Sequence, residues 1–317
     1  MGKILNSAMM RHLSLKILVF IFLMVTACTR AKEKPLASLD SASYKLEIDK
    51  WRKNRVDELK AEGGWLNLAG LFWLKEGINL FGSNDDNDIR FPTGKIPGRA
   101  GYFLVNQGTV SISVTPQVSI KQDGKPMENG IIFSPDSTTN PTLEYGSLKW
   151  FIIQRDKAVG VRLRDLESEG IQKFKGIVNY PTDIAWRIEA TVEYAIDPKR
   201  IDITNVLGQT TSQVSPGTLV FRVNDKEYRL DALEGGKDEL FIIFGDSTNE
   251  QETYPSGRYV YVSGPDANGR TILDFNKAYN PPCAFTAFAT CPLPPEQNIL
   301  NLSVTAGEKK YTGAEHN

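Results

Sequence analysis

Apolar residues recur at two different periods along this chain, and the change of period divides it. Over Ser43–Glu62 the residues Tyr44, Ile48, Trp51, Arg55 (through its stem) and Leu59 fall at three- and four-residue steps. That spacing predicts one amphipathic helix with a single buried face. Asp49 and Lys53 stand four apart in the supportive order, and Gly63-Gly64 is the expected stop. Beyond it the period shortens to two. Tyr102–Val105 and Thr109–Val114 flank Asn106-Gln107-Gly108, and Val118–Lys121 leads into Asp123-Gly124. Leu148–Arg155 and Ala158–Arg164 flank Asp156-Lys157. Short alternating runs separated by turn residues predict an antiparallel sandwich rather than a parallel sheet.

The alternation pauses near Leu166–Gly170 and resumes in a second block. Ile188–Tyr194, Ile201–Val206 and Thr218–Val223 read as strands, and Val223–Tyr228 turns over Asn224-Asp225. Leu240–Phe244 is a continuous apolar run suited to a buried strand, followed by Arg258–Val262, Thr271–Phe275 and Leu300–Val304. The expectation is a mainly β protein: an N-terminal helix over 43–64, then two β-sandwich-like blocks over 65–168 and 169–313. Trp65, Trp73, Trp150 and Trp186 are read as core anchors rather than sugar platforms.

The first residues follow a different logic. Lys3, Arg11 and Lys16 precede the apolar run Ile17–Val25, and no acidic residue occurs before Glu33. The run is too short for an ordinary membrane span. Val25-Thr26-Ala27-Cys28 resembles a bacterial lipobox, which implies a lipoprotein signal over 1–27, lipidation at Cys28 and a polar tether over 28–42. Thr29 after the anchor, rather than an aspartate, favours the outer membrane facing the periplasm. From Cys28 onward the chain carries 34 basic against 38 acidic residues and has no basic block, which argues against nucleic acid as a partner.

Composition then narrows the chemistry. The two histidines are His12, inside the signal, and His316, next to the end. Ser-His-Asp and Cys-His hydrolysis and imidazole zinc sites are therefore excluded. No glycine-rich phosphate loop follows a strand, so no nucleotide or other cofactor is expected. The stretch Asp274–Asn298 stands apart, with Cys283, Cys291, Pro281-Pro282, Pro292 and Pro294-Pro295 in more than 20 residues without periodicity. Loops of that length in a domain are usually functional or disordered, and the prolines and aromatics here favour a rigid loop. With seven residues between them, Cys283 and Cys291 are read as a disulfide by default in an oxidising envelope. Buried thiols, a two-thiolate metal site and a catalytic thiol remain as alternatives.

Three segments carry a family resemblance. Gly64-Trp65-Leu66 through Gly70-Leu71-Phe72-Trp73-Leu74 is the first, with Gly77 and Gly82 following. Phe244-Gly245-Asp246-Ser247-Thr248 with Thr253-Tyr254 and Gly257-Arg258-Tyr259 is the second. The third runs from Asp274-Phe275-Asn276 through Cys283 and Cys291 to Ala306-Gly307-Glu308-Lys309. Together they resemble an uncharacterised bacterial domain-of-unknown-function family common in lipoproteins and secreted proteins. Ala287-Phe288 departs from it, where the family more often has proline and tyrosine. The resemblance implies a shared fold and site and brings no established activity. Gly82-Ser83-Asn84-Asp85-Asp86-Asn87-Asp88-Ile89 also resembles the glycine turn of forkhead-associated sandwiches. Arg99 is kept, but the serine and histidine of their phosphothreonine site are missing, so this resemblance implies fold only.

The candidate ligand-binding residues are Asp246, Thr248, Tyr254, Arg258, Asp274, Asn276, Asn280 and Glu308. They suit a polar small molecule, a glycan or an envelope protein partner, with the membrane engaged through the lipid. Two alternatives stay open. One is a histidine-independent hydrolase using Asp246 or Asp274 with Tyr254 and Arg258; the other is a structural subunit of an envelope assembly. A plainer reading of the same residues is a buried Asp274–Arg258 ion pair with Asn276 and Asn280 capping loop backbone.

Overall fold

The computed structural model describes residues 40–155 and 157–313. The expected signal over 1–27, the lipidation candidate Cys28 and nearly all of the tether lie outside the described residues. Asp40 caps the helix Ser41–Lys60, its carboxylate accepting from the backbone N–H groups of Ala42 and Ser43. Tyr44, Ile48 and Leu59 of the expected stripe are buried. The helix ends at Lys60, before Glu62, because the chain folds back tightly across its last turn. Leu66 N–H donates to Leu59 O, and a Cβ at Gly64 would collide with the carbonyl oxygens of Leu59 and Glu58.

The first block is a sandwich. One sheet orders Leu68–Trp73, Ala158–Asp165, Leu148–Arg155, Leu143–Tyr145, Lys121–Gln122 and Lys125–Pro126. The other orders Ile89–Arg90, Gly77–Gly82, Gly101–Asn106, Thr109–Val114 and Asn129–Phe133. Their inward residues share one core, in which Phe81 stacks on Phe103 at 4.5 Å and Phe91 meets Trp150 edge-on at 5.3 Å. The tight turns at Gln107-Gly108 and Asp123-Gly124 have positive φ at both central positions, the conformation that suits hairpin twist. The expected strand Val118–Lys121 is displaced to Lys121–Gln122, because a turn closes from Val118 N–H onto Thr115 O. Arg99 is held by Asp86 at 2.6 Å on the surface.

The second block is built on a long hairpin. Arg187–Thr204 is one strand, where the sequence predicted two, and it pairs with Thr210–Val223. Its register shifts between Tyr194 and Lys199. Lys226–Asp231 and Arg270–Asp274 flank this pair. A three-stranded sheet, Leu233–Gly236, Glu239–Phe244 and Arg258–Ser263, closes over it. Leu240, Ile242, Phe244, Val260 and Val262 face the shared core. Phe241, Ile243 and Tyr259 face the other way, toward Ile201 and Ile203.

Leu300–Val304 is not a strand. Leu300 and Val304 are buried as expected, but their backbone runs beside Gly245–Ser247 through only a few bonds, such as Leu300 N–H to Gly245 O. The carbonyls of Val304 and Ala306 accept instead from Arg258, so a side chain takes the place of a neighbouring strand. From Phe275 to Gly313 the chain is therefore held by short 3-10 turns, isolated bridges and side-chain bonds.

Candidate functional site

Seven of the eight polar candidates separate into three buried stations, with Tyr254 apart from them. In the first, Arg258 opens its strand facing inward and is fully buried. Its Nη2 donates to Asp246 Oδ2 at 2.8 Å and to Val304 O at 2.9 Å, and Nη1 donates to Ala306 O. Its partner is thus Asp246, not Asp274. The second Asp246 oxygen accepts from the Thr248 N–H at 2.8 Å and hydroxyl at 2.6 Å. Gly307, at φ 79°, turns the chain directly after Ala306, and a Cβ there would strike the Ala278 and Phe275 carbonyls.

In the second station Asp274 accepts from the Tyr44 hydroxyl at 2.8 Å and from the Asn276 N–H at 3.0 Å. The Asn276 amide bridges Tyr44 and both backbone groups of Asp183. Burial pushes the Asp274 carboxyl above its ordinary range, against the pull of those donors. In the third, Glu308 is sealed beneath Arg55 and accepts from Arg55 Nε at 3.2 Å and from Asn280 N–H at 2.7 Å. Arg55 also donates to Asn280 O at 3.0 Å, and the Asn280 amide donates to Lys309 O at 2.8 Å. Burial raises the Glu308 carboxyl, while Arg55 opposes the shift. Tyr254 is half-buried beside Trp65 and the cysteine pair. The sequence reading used Arg55 only for its stem, and its guanidinium is what joins the helix to the loop.

An open cleft of about 520 Å³ lies directly outside the third station. The helix contributes Trp51, Asn54, Arg55 and Glu58 to it. The three-stranded sheet contributes its outward face, Phe241, Tyr259 and Tyr261, with Glu239 at the edge. Tyr279 and Pro282 come from the irregular loop, and Trp65 from the turn after the helix. The rings of Tyr261 and Tyr279 are nearly parallel, their planes 9° apart with centroids at 6.3 Å, while Tyr259 meets Tyr279 edge-on at 5.8 Å. The Arg55 guanidinium sits 4.5 Å from the Tyr279 ring centroid. The Tyr259 hydroxyl is taken by Pro292 O at 2.6 Å, which leaves its ring as wall. Glu58 and Glu239 are exposed and make no ion pair among the described residues.

None of the eight candidates lines this cleft. The signal that leads to it is the second face of Glu239–Phe244 and Arg258–Ser263, aromatic where an outward face is ordinarily polar. Trp65 is cleft wall as well as anchor, whereas Trp150 is wholly core. Cys283 and Cys291 are paired at disulfide distance, Cα atoms 6.1 Å apart, under Trp65 and Tyr254. Among the described residues no cluster of histidine, cysteine, aspartate and glutamate is arranged to hold a metal ion, and no helix is long and apolar enough to cross a membrane.

Helix, two β blocks and a loop-capped aromatic cleft define a mainly β protein with a ligand-sized concavity. Through residues 172–309 the chain belongs to the family described as protein of unknown function (DUF1684). A solution NMR structure of an uncharacterized protein of Haloarcula marismortui is 33% identical, with a TM-score of 0.38, over 46% of this chain and 80% of that one. A forkhead-associated domain studied for phosphothreonine-dependent interactions matches at 12% identity and a TM-score of 0.21, over 30% of this chain and 92% of that one. No curated protein matches the chain.

Proposed function

We propose that this is a lipid-anchored envelope protein that binds a saccharide, without catalysis, in the cleft between Trp51, Tyr261 and Tyr279. The carrying observation is the open aromatic wall, with Tyr261 46% exposed and its ring nearly parallel to that of Tyr279. Soluble proteins expose such faces where a ligand covers them, and the apolar faces of sugar rings stack on aromatic rings. Asn54, Glu58 and Glu239 at the rim offer donors and acceptors for hydroxyls. A binding role agrees with the burial of Arg258 and Asp246, which leaves the residues of the hydrolase reading occupied with each other. The test is a glycan-array and calorimetric comparison of the full chain with Tyr261→Ala. The expected result is binding of at least one saccharide class, weakened about tenfold or more in the variant. Absence of binding across the array, or equal binding by the variant, would sink the reading.

A further inference from the structure

Arg162 lies on the strand Ala158–Asp165 between Leu71 and Phe151, its cross-strand neighbours on either side. It is 7% exposed. Its Nε and Nη2 have no hydrogen-bond partner, and no carboxylate forms an ion pair with it among the described residues. Its guanidinium lies over the Trp65 ring, the guanidinium carbon 6.0 Å from the ring centroid. Arg164, two residues on and therefore on the same face, is by contrast satisfied by Gly64 O and Asn67 Oδ1.

This arrangement is costly unless something is missing from it. Burial, with Arg155 and Arg164 nearby, depresses the Arg162 guanidinium to about 10, which still leaves it charged at neutral pH. A buried cation without a counter-charge is strongly unfavourable, and a methionine would fill the space between Leu71 and Phe151 without that cost. A planar guanidinium with unused N–H groups is the geometry that recognises an oxyanion through paired hydrogen bonds. We propose that Arg162 is the anchor of an oxyanion site, taking a carboxylate, sulfate or phosphate group against Trp65. Trp65 is also a wall of the aromatic cleft, so the oxyanion is either a free ion or an acidic substituent on a saccharide held there. The site does not depend on the saccharide reading.

The experiment compares the full wild-type chain with Arg162→Met. Thermal unfolding is followed in sodium sulfate, sodium phosphate and sodium chloride at matched ionic strength. Calorimetric titrations use oligogalacturonate and the corresponding neutral galactose oligomer. If the oxyanion is free, sulfate or phosphate raises the wild-type Tm by several degrees over chloride and leaves Arg162→Met unmoved. If it is carried on a sugar, oligogalacturonate binds the wild type about tenfold more tightly than the neutral oligomer, and the variant loses that preference. In both cases the variant is at least as stable as wild type in chloride. The proposal is overturned if wild type responds to none of these anions, or if Arg162→Met responds equally. The Arg162 Nε–Hε resonance, followed in the wild type during the same titrations, decides the question if the variant does not fold. Failure of every saccharide with a retained response to sulfate or phosphate would count against the cleft reading alone.

Discussion

Arg55 and Glu308 lie 253 residues apart in the chain and form a buried ion pair, Nε to Oε1 at 3.2 Å, that fastens the N-terminal helix to the last described segment. The Arg55 side chain is 11% exposed and that of Glu308 1%, so neither charge has much recourse to water. Removing one partner leaves the other buried and uncompensated. Arg55→Met is therefore expected to destabilise the fold by about 3 kcal/mol at neutral pH. The Glu308 carboxyl is already raised by burial and rises further without Arg55. A raised carboxyl binds its proton more readily in the folded state, so the loss shrinks as pH falls. Urea denaturation at several pH values reads this directly; a pH-independent loss would show that the helix is held by packing instead.

The pair also marks where sequence reading stops. Helical period, primed turns and two-residue alternation carried the helix and both β blocks, because each is a local consequence of side-chain direction. Leu300, Leu302 and Val304 alternate like a strand, and two of them are buried, but Arg258 occupies the carbonyls that a neighbouring strand would use. That substitution is invisible without the fold. The loop from Asp274 was legible as a rigid, functional-looking segment, and Tyr279 and Pro282 do border the cleft. Its conspicuous polar residues face inward and hold the loop in place. The cleft itself gathers Trp51, Tyr261 and Tyr279 from three distant segments, each of which reads locally as ordinary packing.

Asp274 offers a test of the Tyr44–Asn276 station. Its carboxyl is raised above the ordinary 3.8 chiefly by burial, with Tyr44, Lys277 and Asn276 opposing. The stability it contributes is fully present below the unfolded value and is lost as pH rises through the folded one. Asp274→Asn keeps the acceptor for the Tyr44 hydroxyl and removes the titration. The wild type should lose stability relative to this variant on going from below pH 3.8 to neutral. Parallel stability curves for the two proteins across that range would refute the assignment.

The anchor is tested separately from the fold. Lys3, Arg11 and Lys16, the run Ile17–Val25 and the Ala27-Cys28 junction underlie the proposal that Cys28 carries a diacylglycerol. Two acyl chains suffice for stable membrane attachment where one gives only reversible binding. Labelled palmitate should enter the wild-type protein and not Cys28→Ser, which should also leave the membrane fraction. A Cys28→Ser protein that still incorporates label, or that fractionates with the membrane as wild type does, would contradict the proposal.

Cys283 and Cys291 brace the cleft from behind. Ala289, Trp65 and Tyr254 pack on the pair, and Cys283 N–H donates to Cys291 Sγ at 3.0 Å. Pro282, next to Cys283, and Trp65 are both cleft residues, so the crosslink sets the position of two parts of its wall. In the chain-entropy account, closing this short loop stabilises the fold by about 2.5 kcal/mol. The double variant Cys283→Ser with Cys291→Ser should lose roughly that amount in chemical denaturation. Reductant should bring wild type down to the same level and leave the double variant unaffected. Saccharide affinity should fall in step, because Trp65 and Pro282 lose their brace while Tyr261 and Tyr279 do not. If reductant changes neither the stability nor the affinity of the wild type, the cysteines act as two buried thiols and the loop is held by its prolines and by Arg55.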